Sequence, residues 1–254
     1  MQQEIRHIFF DVGDTLRIAQ KIPEHMLAAK QRAAALLGTD MDPEEFAAML
    51  DERYEGYRND ATVTWVELNE EDLWTKWLTP DFPEELVRPL AVELTFLFRQ
   101  FRGRRELADH AVEVIQTLTA RNYRLGIISN VITSNELPDW LDEDGLTPYF
   151  SPVVLSSLTG IRKPDPRIFE LALEEAGIEA KYCAYVGDNV ERDMGGAKKV
   201  GFGLNILIDR KHAVDLNSFT DATRPDAVIY ATRELLDIFP AYPQVNSNSS
   251  HMLP

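Results

Sequence analysis

Cysteine is almost missing from this chain: Cys183 stands alone among 254 residues, so no intramolecular disulfide can form. Its setting, Tyr182-Cys183-Ala184-Tyr185-Val186, is apolar, and a buried structural thiol is expected there rather than a reactive one. Long hydrophobic runs are missing too. None reaches the roughly 18 apolar residues of a membrane-spanning helix, and the opening Met1-Gln2-Gln3-Glu4-Ile5-Arg6 has no basic stretch leading into an apolar one. Positive charge is scarce: 26 Lys and Arg face 42 Asp and Glu, a formal net charge of −16. Non-specific nucleic-acid affinity comes from cations that neutralise phosphates, so neither nucleic acid nor an anionic membrane is an expected partner. The expectation is a soluble, cytoplasmic protein; oligomeric state is not legible.

Hydrophobic residues make up 44% of the chain, enough for a substantial core. Ile8-Phe9-Phe10 is a short β-prone run that stops at Asp11-Val12-Gly13-Asp14, the pattern of a buried strand entering a turn. From about Pro23 to Gly103 the periodicity is helical. Four segments are expected, over about 23–37, from Asp42-Pro43-Glu44-Glu45 onward, over about 67–78, and from Pro83-Glu84-Glu85 to about Arg102. After Asp109, helices alternate with apolar strands at Leu125–Ile128, Val153–Ser156, Ala184–Val186, Leu204–Ile208 and Ala227–Tyr230. That alternation implies an α/β fold, a Rossmann-like parallel sheet covered on both faces, with an all-helical, four-helix insertion. The expected division is a core of 1–18 and 105–240, a helical cap of 19–104, and a polar, disordered tail of 241–254.

Ligands of open parallel sheets bind beyond the carboxyl ends of the strands. Those ends deliver Asp11, Ser129 and Asp188, with Lys163 in the loop after the third strand. Taken singly, Asp11 reads as an N-cap, Ser129 as a turn residue and Asp188 as a helix-start acid. Their arrival at one sheet edge argues for a site.

The strings themselves resemble a known family. Phe9-Phe10-Asp11-Val12-Gly13-Asp14-Thr15-Leu16, Ile127-Ile128-Ser129-Asn130, Arg162-Lys163-Pro164-Asp165-Pro166 and Val186-Gly187-Asp188-Asn189-Val190-Glu191-Arg192-Asp193 are similar, in order, to the four motifs of the haloacid dehalogenase-like superfamily. The resemblance implies a Mg2+-dependent phosphatase acting through an aspartyl-phosphate on a small phosphorylated metabolite. Asp11 is then the nucleophile, Lys163 holds it and the transferred group, and Ser129 donates a hydrogen bond to a phosphate oxygen. Asp11, the Gly13 carbonyl, Asp188 and Asp193 would serve the metal, while Thr15 and Asn130 orient neighbouring groups. The resemblance also implies that the helical insertion is a cap closing over the pocket.

One departure matters. Phosphatases of this superfamily carry a second aspartate two residues after the nucleophile, as acid and base for the leaving group; here that position is Gly13. Asp14 next to it is a possible acid/base, against a turn-stabilising role. Losing a general acid costs roughly 10²–10⁴ in rate, so slow turnover favouring activated esters is expected, with a gain on Gly13→Asp. A metal-independent 2-haloacid dehalogenase, or a degenerate member that binds a ligand or partner, remains an alternative. Trp65, Trp74, Trp77 and Tyr57 are candidates for the pocket wall, with Trp74 and Trp77 better read as cap core. Arg99, Arg102, Arg104 and Arg105 read as a solvated hinge, with a contact to a substrate anion as the alternative. His7, His25, His110 and His212 have no ligand-like spacing.

Overall fold

The computed structural model describes residues 4–241. The expected disorder of 241–254 therefore lies, apart from Ala241, outside the described residues. Six parallel strands form the main sheet: β1 (His7–Phe10), β4 (Arg124–Ser129), β5 (Phe150–Leu155), β6 (Cys183–Gly187), β7 (Leu204–Ile208) and β8 (Ala227–Ile229), in the order β5-β4-β1-β6-β7-β8. β1 is central and every residue in it is buried, because helices cover both faces and the strand needs apolar side chains on each. Ile8, Phe10, Ile127 and Val186 pack on one side, Phe9, Ile128, Tyr185 and Leu207 on the other.

β1 lies between β4 and β6, in register Phe10 with Ile127 and Phe10 with Val186. The chain visits β4 and β5 on one side of β1 and then crosses to β6, β7 and β8 on the other. The sheet therefore changes winding direction at β1, which opens a crevice beyond its carboxyl end. Gly126 faces β1 where a side chain would not fit: a Cβ there would sit 2.7 Å from the Phe9 ring.

The insertion is helical, as the periodicity implies, but two of its four segments are broken. Helices span Pro23–Leu36 and Pro43–Thr64, the second capped by Asp42, which accepts from the Glu44 and Glu45 amides. The third begins at Glu70, not near Glu67, and passes at Trp74–Leu78 into a wide π turn. The fourth is split into Glu84–Val87 and Ala91–Phe101 by a tight turn, Arg88–Leu90, at Pro89, whose ring and missing N–H disrupt helix interiors. These helices share a hydrophobic cluster of their own around Phe46, Leu50, Trp74 and Phe98, with Ile132 as its one buried member from beyond the insertion.

Two strands went unread in the sequence. β2 (Arg17–Gln20) and β3 (Arg104–Leu107) pair antiparallel where the chain enters and leaves the insertion. They straddle the expected boundaries at 18/19 and 104/105. Their polar residues carry no apolar alternation, so backbone pairing alone defines them.

Candidate active site

Beyond the carboxyl end of β1 the structure brings together Asp11, Ser129, Lys163, Asp188 and Asp193. Lys163, almost wholly buried, joins them. Its Nζ donates to Asp11 Oδ1 at 2.8 Å, the Ile128 carbonyl at 2.9 Å and the Tyr185 hydroxyl at 2.7 Å, and lies 2.7 Å from Asp193 Oδ1. Ser129 Oγ donates to Asp11 Oδ1 at 3.0 Å. Burial opposes the charge on Asp11, but Lys163 and then Arg192 outweigh it and hold the carboxyl below its ordinary pKa. Asp11 is therefore an ionised carboxylate in a buried position, the form a nucleophile needs.

Asp188 shows the reverse. Burial, and then the charges of Asp11 and Asp193, push its pKa up to about 7. Its Oδ1 has no hydrogen-bond partner among the described residues, and the Arg192 guanidinium stands 3.6 Å away. Oxygen atoms of Asp11, Asp188 and Asp193 all lie within 4.8 Å of one another. Three crowded carboxylates, one with an oxygen that takes no hydrogen bond from the described residues, form an all-oxygen donor set that suits a hard divalent cation. The residues present fit Mg2+.

Asp193 reaches this cluster because Gly187 has no side chain: a Cβ on Gly187 would fall 2.5 Å from Asp193 Cγ. The Asn189 amide then donates to Asp193 Oδ2 at 3.0 Å. Asn130 is turned toward the loop, not toward Asp11; it accepts from the Lys163 amide at 2.8 Å and donates to the Lys163 carbonyl at 3.0 Å, bracing the lysine from behind. Thr15 is buried, yet its hydroxyl meets no partner among the described residues, so no hydrogen bond ties it to Asp11. Asp14 sits at φ 55° in a left-handed turn, with Arg105 at 3.5 Å and Lys211 at 3.3 Å from its carboxylate.

A cavity of about 390 Å³ opens over these residues between the sheet edge and the helical insertion, and Gly13 and Asp14 line it. A Cβ placed on Gly13 would meet nothing nearer than Arg105 Nη1 at 3.9 Å. The place of a side chain at position 13 is thus open, with a guanidinium beside it.

The pocket wall differs from the expected one. Trp74 is cap core, as its spacing implies, its indole donating to Thr95 Oγ1 at 2.8 Å; Tyr57 is instead hydrogen-bonded to buried Glu67, and Trp65 has Lys199 over its ring. Trp77 packs against Tyr57. The aromatic lining is Tyr54, Phe98 and Trp140 instead. The hinge reading of the arginines is corrected as well: Arg99, Arg102 and Arg105 line the cavity, and only Arg104 points to solvent. Sequence reasoning also passed over Tyr185, Gly187, Arg192 and the Glu67–Arg162 pair. Tyr185 and Arg192 had a signal, lying three residues before and four after Asp188.

Fold and site define an α/β hydrolase whose carboxylate cluster lies at the switch point of a parallel sheet. The chain belongs to the haloacid dehalogenase-like hydrolases, matching that family over residues 5–201. It is 28% identical over 236 residues to a glyceraldehyde 3-phosphate phosphatase of Methanopyrus kandleri, spanning 92% of this chain and 97% of that one. A phosphoserine phosphatase of Thermus thermophilus is 29% identical over 76% of this chain and 85% of its own. The crystal structure of a 2-haloacid dehalogenase from Pseudomonas syringae superposes with a TM-score of 0.65 at 23% identity, over 92% of this chain and 97% of that one, and shares the fold. No helix among the described residues is long and apolar enough to cross a membrane.

Proposed function

We propose that this hydrolase is a Mg2+-dependent phosphatase that acts on a small phosphorylated metabolite, with residues 19–104 serving as the cap. The observation that carries the reading is the lysine bridge, Lys163 held 2.8 Å from Asp11 and 2.7 Å from Asp193, next to Asp188, whose Oδ1 takes no hydrogen bond from the described residues. Asp11 attacks phosphorus; a bond forms from its carboxylate oxygen as the ester P–O bond breaks, leaving an aspartyl-phosphate that water hydrolyses. Lys163 and Ser129 both donate to Asp11 Oδ1 and so hold the carboxylate, and both would donate to the transferred group. Asp11, Asp188 and the Gly13 carbonyl would hold Mg2+, with Asp193 beside it; bound there it supplies the positive charge that lets a carboxylate approach a phosphate dianion.

With Gly13 in the acid position, the leaving oxygen departs with little protonation, so activated esters such as aryl and acyl phosphates are the fastest substrates. The crowding of three carboxylates favours this reading over metal-free halide displacement, which needs no cation at that place. The test is turnover of p-nitrophenyl phosphate with and without Mg2+ in the intact protein and in Asp11→Asn. Metal-dependent phosphate release that vanishes in the variant is expected. Halide release from 2-haloacids without metal, or phosphate release that survives in Asp11→Asn, would overturn it.

A further inference from the structure

The cavity above Asp11 is lined by seven arginines against three aspartates, in a chain whose net charge is −16. A phosphate dianion arriving with one divalent cation adds no net charge, so the phosphoryl site does not account for that excess. Four of the seven have other tasks. Arg17, Arg99 and Arg162 are hydrogen-bonded to Asp144, Glu136 and Glu67, and Arg192 stands beside Asp188. Arg105 belongs to the neighbourhood of Gly13 and Asp14.

Arg58 and Arg102 donate no side-chain hydrogen bond to the described residues, and both line the cavity with Tyr54. Tyr54 and Arg58 are one turn apart on the helix Pro43–Thr64, and so on the same face. The Arg102 guanidinium, at the end of the helix Ala91–Phe101, stacks 4.8 Å from the Tyr54 ring centroid and 5.2 Å from that of Phe98. Arg102 lies 3.1 Å from Asp51 but makes no hydrogen bond to it. Among the described residues Arg58 has only Glu55 as an ion-pair partner, exposed and 3.7 Å away. The Tyr54 hydroxyl makes no hydrogen bond with any described residue. Burial, and then Glu67, raise its pKa, while Arg162, Arg102 and Arg58 pull the other way. A donor hydroxyl without an acceptor, flanked by two guanidiniums without bidentate partners, is the donor half of an oxyanion site.

We propose that Tyr54, Arg58 and Arg102 form a subsite for a second anion of the substrate, a carboxylate or a second phosphate, at the end remote from the scissile bond. The inference rests on the phosphatase reading of the same cavity and adds the substrate class: phosphate esters that carry two separated anionic groups. Binding energy gained at the remote anion also orients the ester over Asp11.

Matched pairs test it. 3-Phosphoglycerate and glyceraldehyde 3-phosphate differ in a carboxylate against an aldehyde; 1,3-propanediol bisphosphate and 3-hydroxypropyl phosphate differ in the second phosphate. The readout is the ratio of kcat/KM within each pair, which cancels changes in absolute rate. A charge-assisted hydrogen bond is worth roughly 10–100-fold, so a ratio of that order is expected in one pair, identifying which anion the subsite takes. The ratio should collapse toward one in Arg102→Met and fall in Tyr54→Phe, a change small enough to preserve the fold. Ratios near one in both pairs, or a ratio that survives both substitutions, overturn the subsite even if turnover is brisk. If neither pair is turned over, calorimetry with Asp11→Asn and Mg2+ decides. A preference for the two-anion ligand that Arg102→Met removes upholds the subsite while the phosphatase reading fails, and no preference overturns it.

Discussion

Gly13→Asp restores, on paper, the acid that the first loop lacks, and the structure says why it should work poorly alone. The backbone tolerates the change: position 13 is not among the left-handed residues, and a Cβ there has no neighbour closer than Arg105 Nη1 at 3.9 Å. A carboxyl grown toward the cavity therefore meets a guanidinium. Burial, then the charge of Arg99, depress Arg105 below its ordinary pKa in spite of Asp14, so its charge is under-compensated and a new carboxylate would be bound as its partner. An adjacent arginine lowers a carboxyl pKa by about 1–3, which cuts the protonated share at neutral pH about 10–1000-fold. A general acid contributes about 10²–10⁴, so most of the gain is cancelled. We expect Gly13→Asp to raise alkyl-phosphate kcat by less than about tenfold. Gly13→Asp combined with Arg105→Met should raise it about a hundredfold over Arg105→Met alone. Turnover of p-nitrophenyl phosphate, whose leaving group needs little protonation, should respond far less. The assay is steady-state phosphate release from both esters across pH 5–8 in all four proteins. A hundredfold gain in the single variant would refute the role given to Arg105; no gain in the double variant, with p-nitrophenyl phosphate still turned over, would refute the role given to Gly13.

Three further outcomes follow from the same geometry. Lys163→Met leaves Asp11 and Asp193 buried without their shared cation, and breaking such a buried pair costs about 3–5 kcal/mol; chemical denaturation of the metal-free protein should show that loss, and an unchanged midpoint would contradict the bridge at 2.8 and 2.7 Å. Gly187→Ala forces Asp193 away, since its Cγ lies 2.5 Å from the added carbon, and should weaken Mg2+ binding about 10–100-fold, the usual effect of disturbing groups around a metal; unchanged affinity by calorimetry would remove Asp193 from the metal's surroundings. His7 is fully buried, stacked on Phe9, and its pKa falls to about 3 through burial and then Arg124. Because the unfolded chain takes up a proton near pH 6.5 and the native one does not until about pH 3, stability falls as pH drops through that window. Between pH 7 and 5 the loss is about 2 kcal/mol, and His7→Phe should flatten that part of the denaturation profile.

The parts of this molecule that were readable from sequence share a physical property: their roles are set within a few residues. A central parallel strand is apolar on both faces, so Ile8-Phe9-Phe10 announces itself, and the polar residue that ends it can only emerge at the sheet edge. Asp42 caps its helix because its side chain reaches the amide two residues on. The pairing of β2 with β3 had no such local mark, since Arg17 meets Leu107 across 90 residues and neither strand alternates. The pocket wall was illegible for the same reason in sharper form. Whether an aromatic or an arginine on a helix faces a cavity or a neighbouring helix depends on how the helices cross, which periodicity does not encode; hence Tyr57 turned inward to Glu67 while Tyr54, on the same helix, was left facing the site. Arg104 and Arg105 make the point with adjacent residues of one type. In a strand they must face opposite ways, so one is solvated and the other stands over Gly13; only pairing with β2 makes that stretch a strand. Chemistry at the strand ends is thus shared by any chain carrying these loops, whereas what this chain acts on is decided by side chains whose direction tertiary packing alone determines.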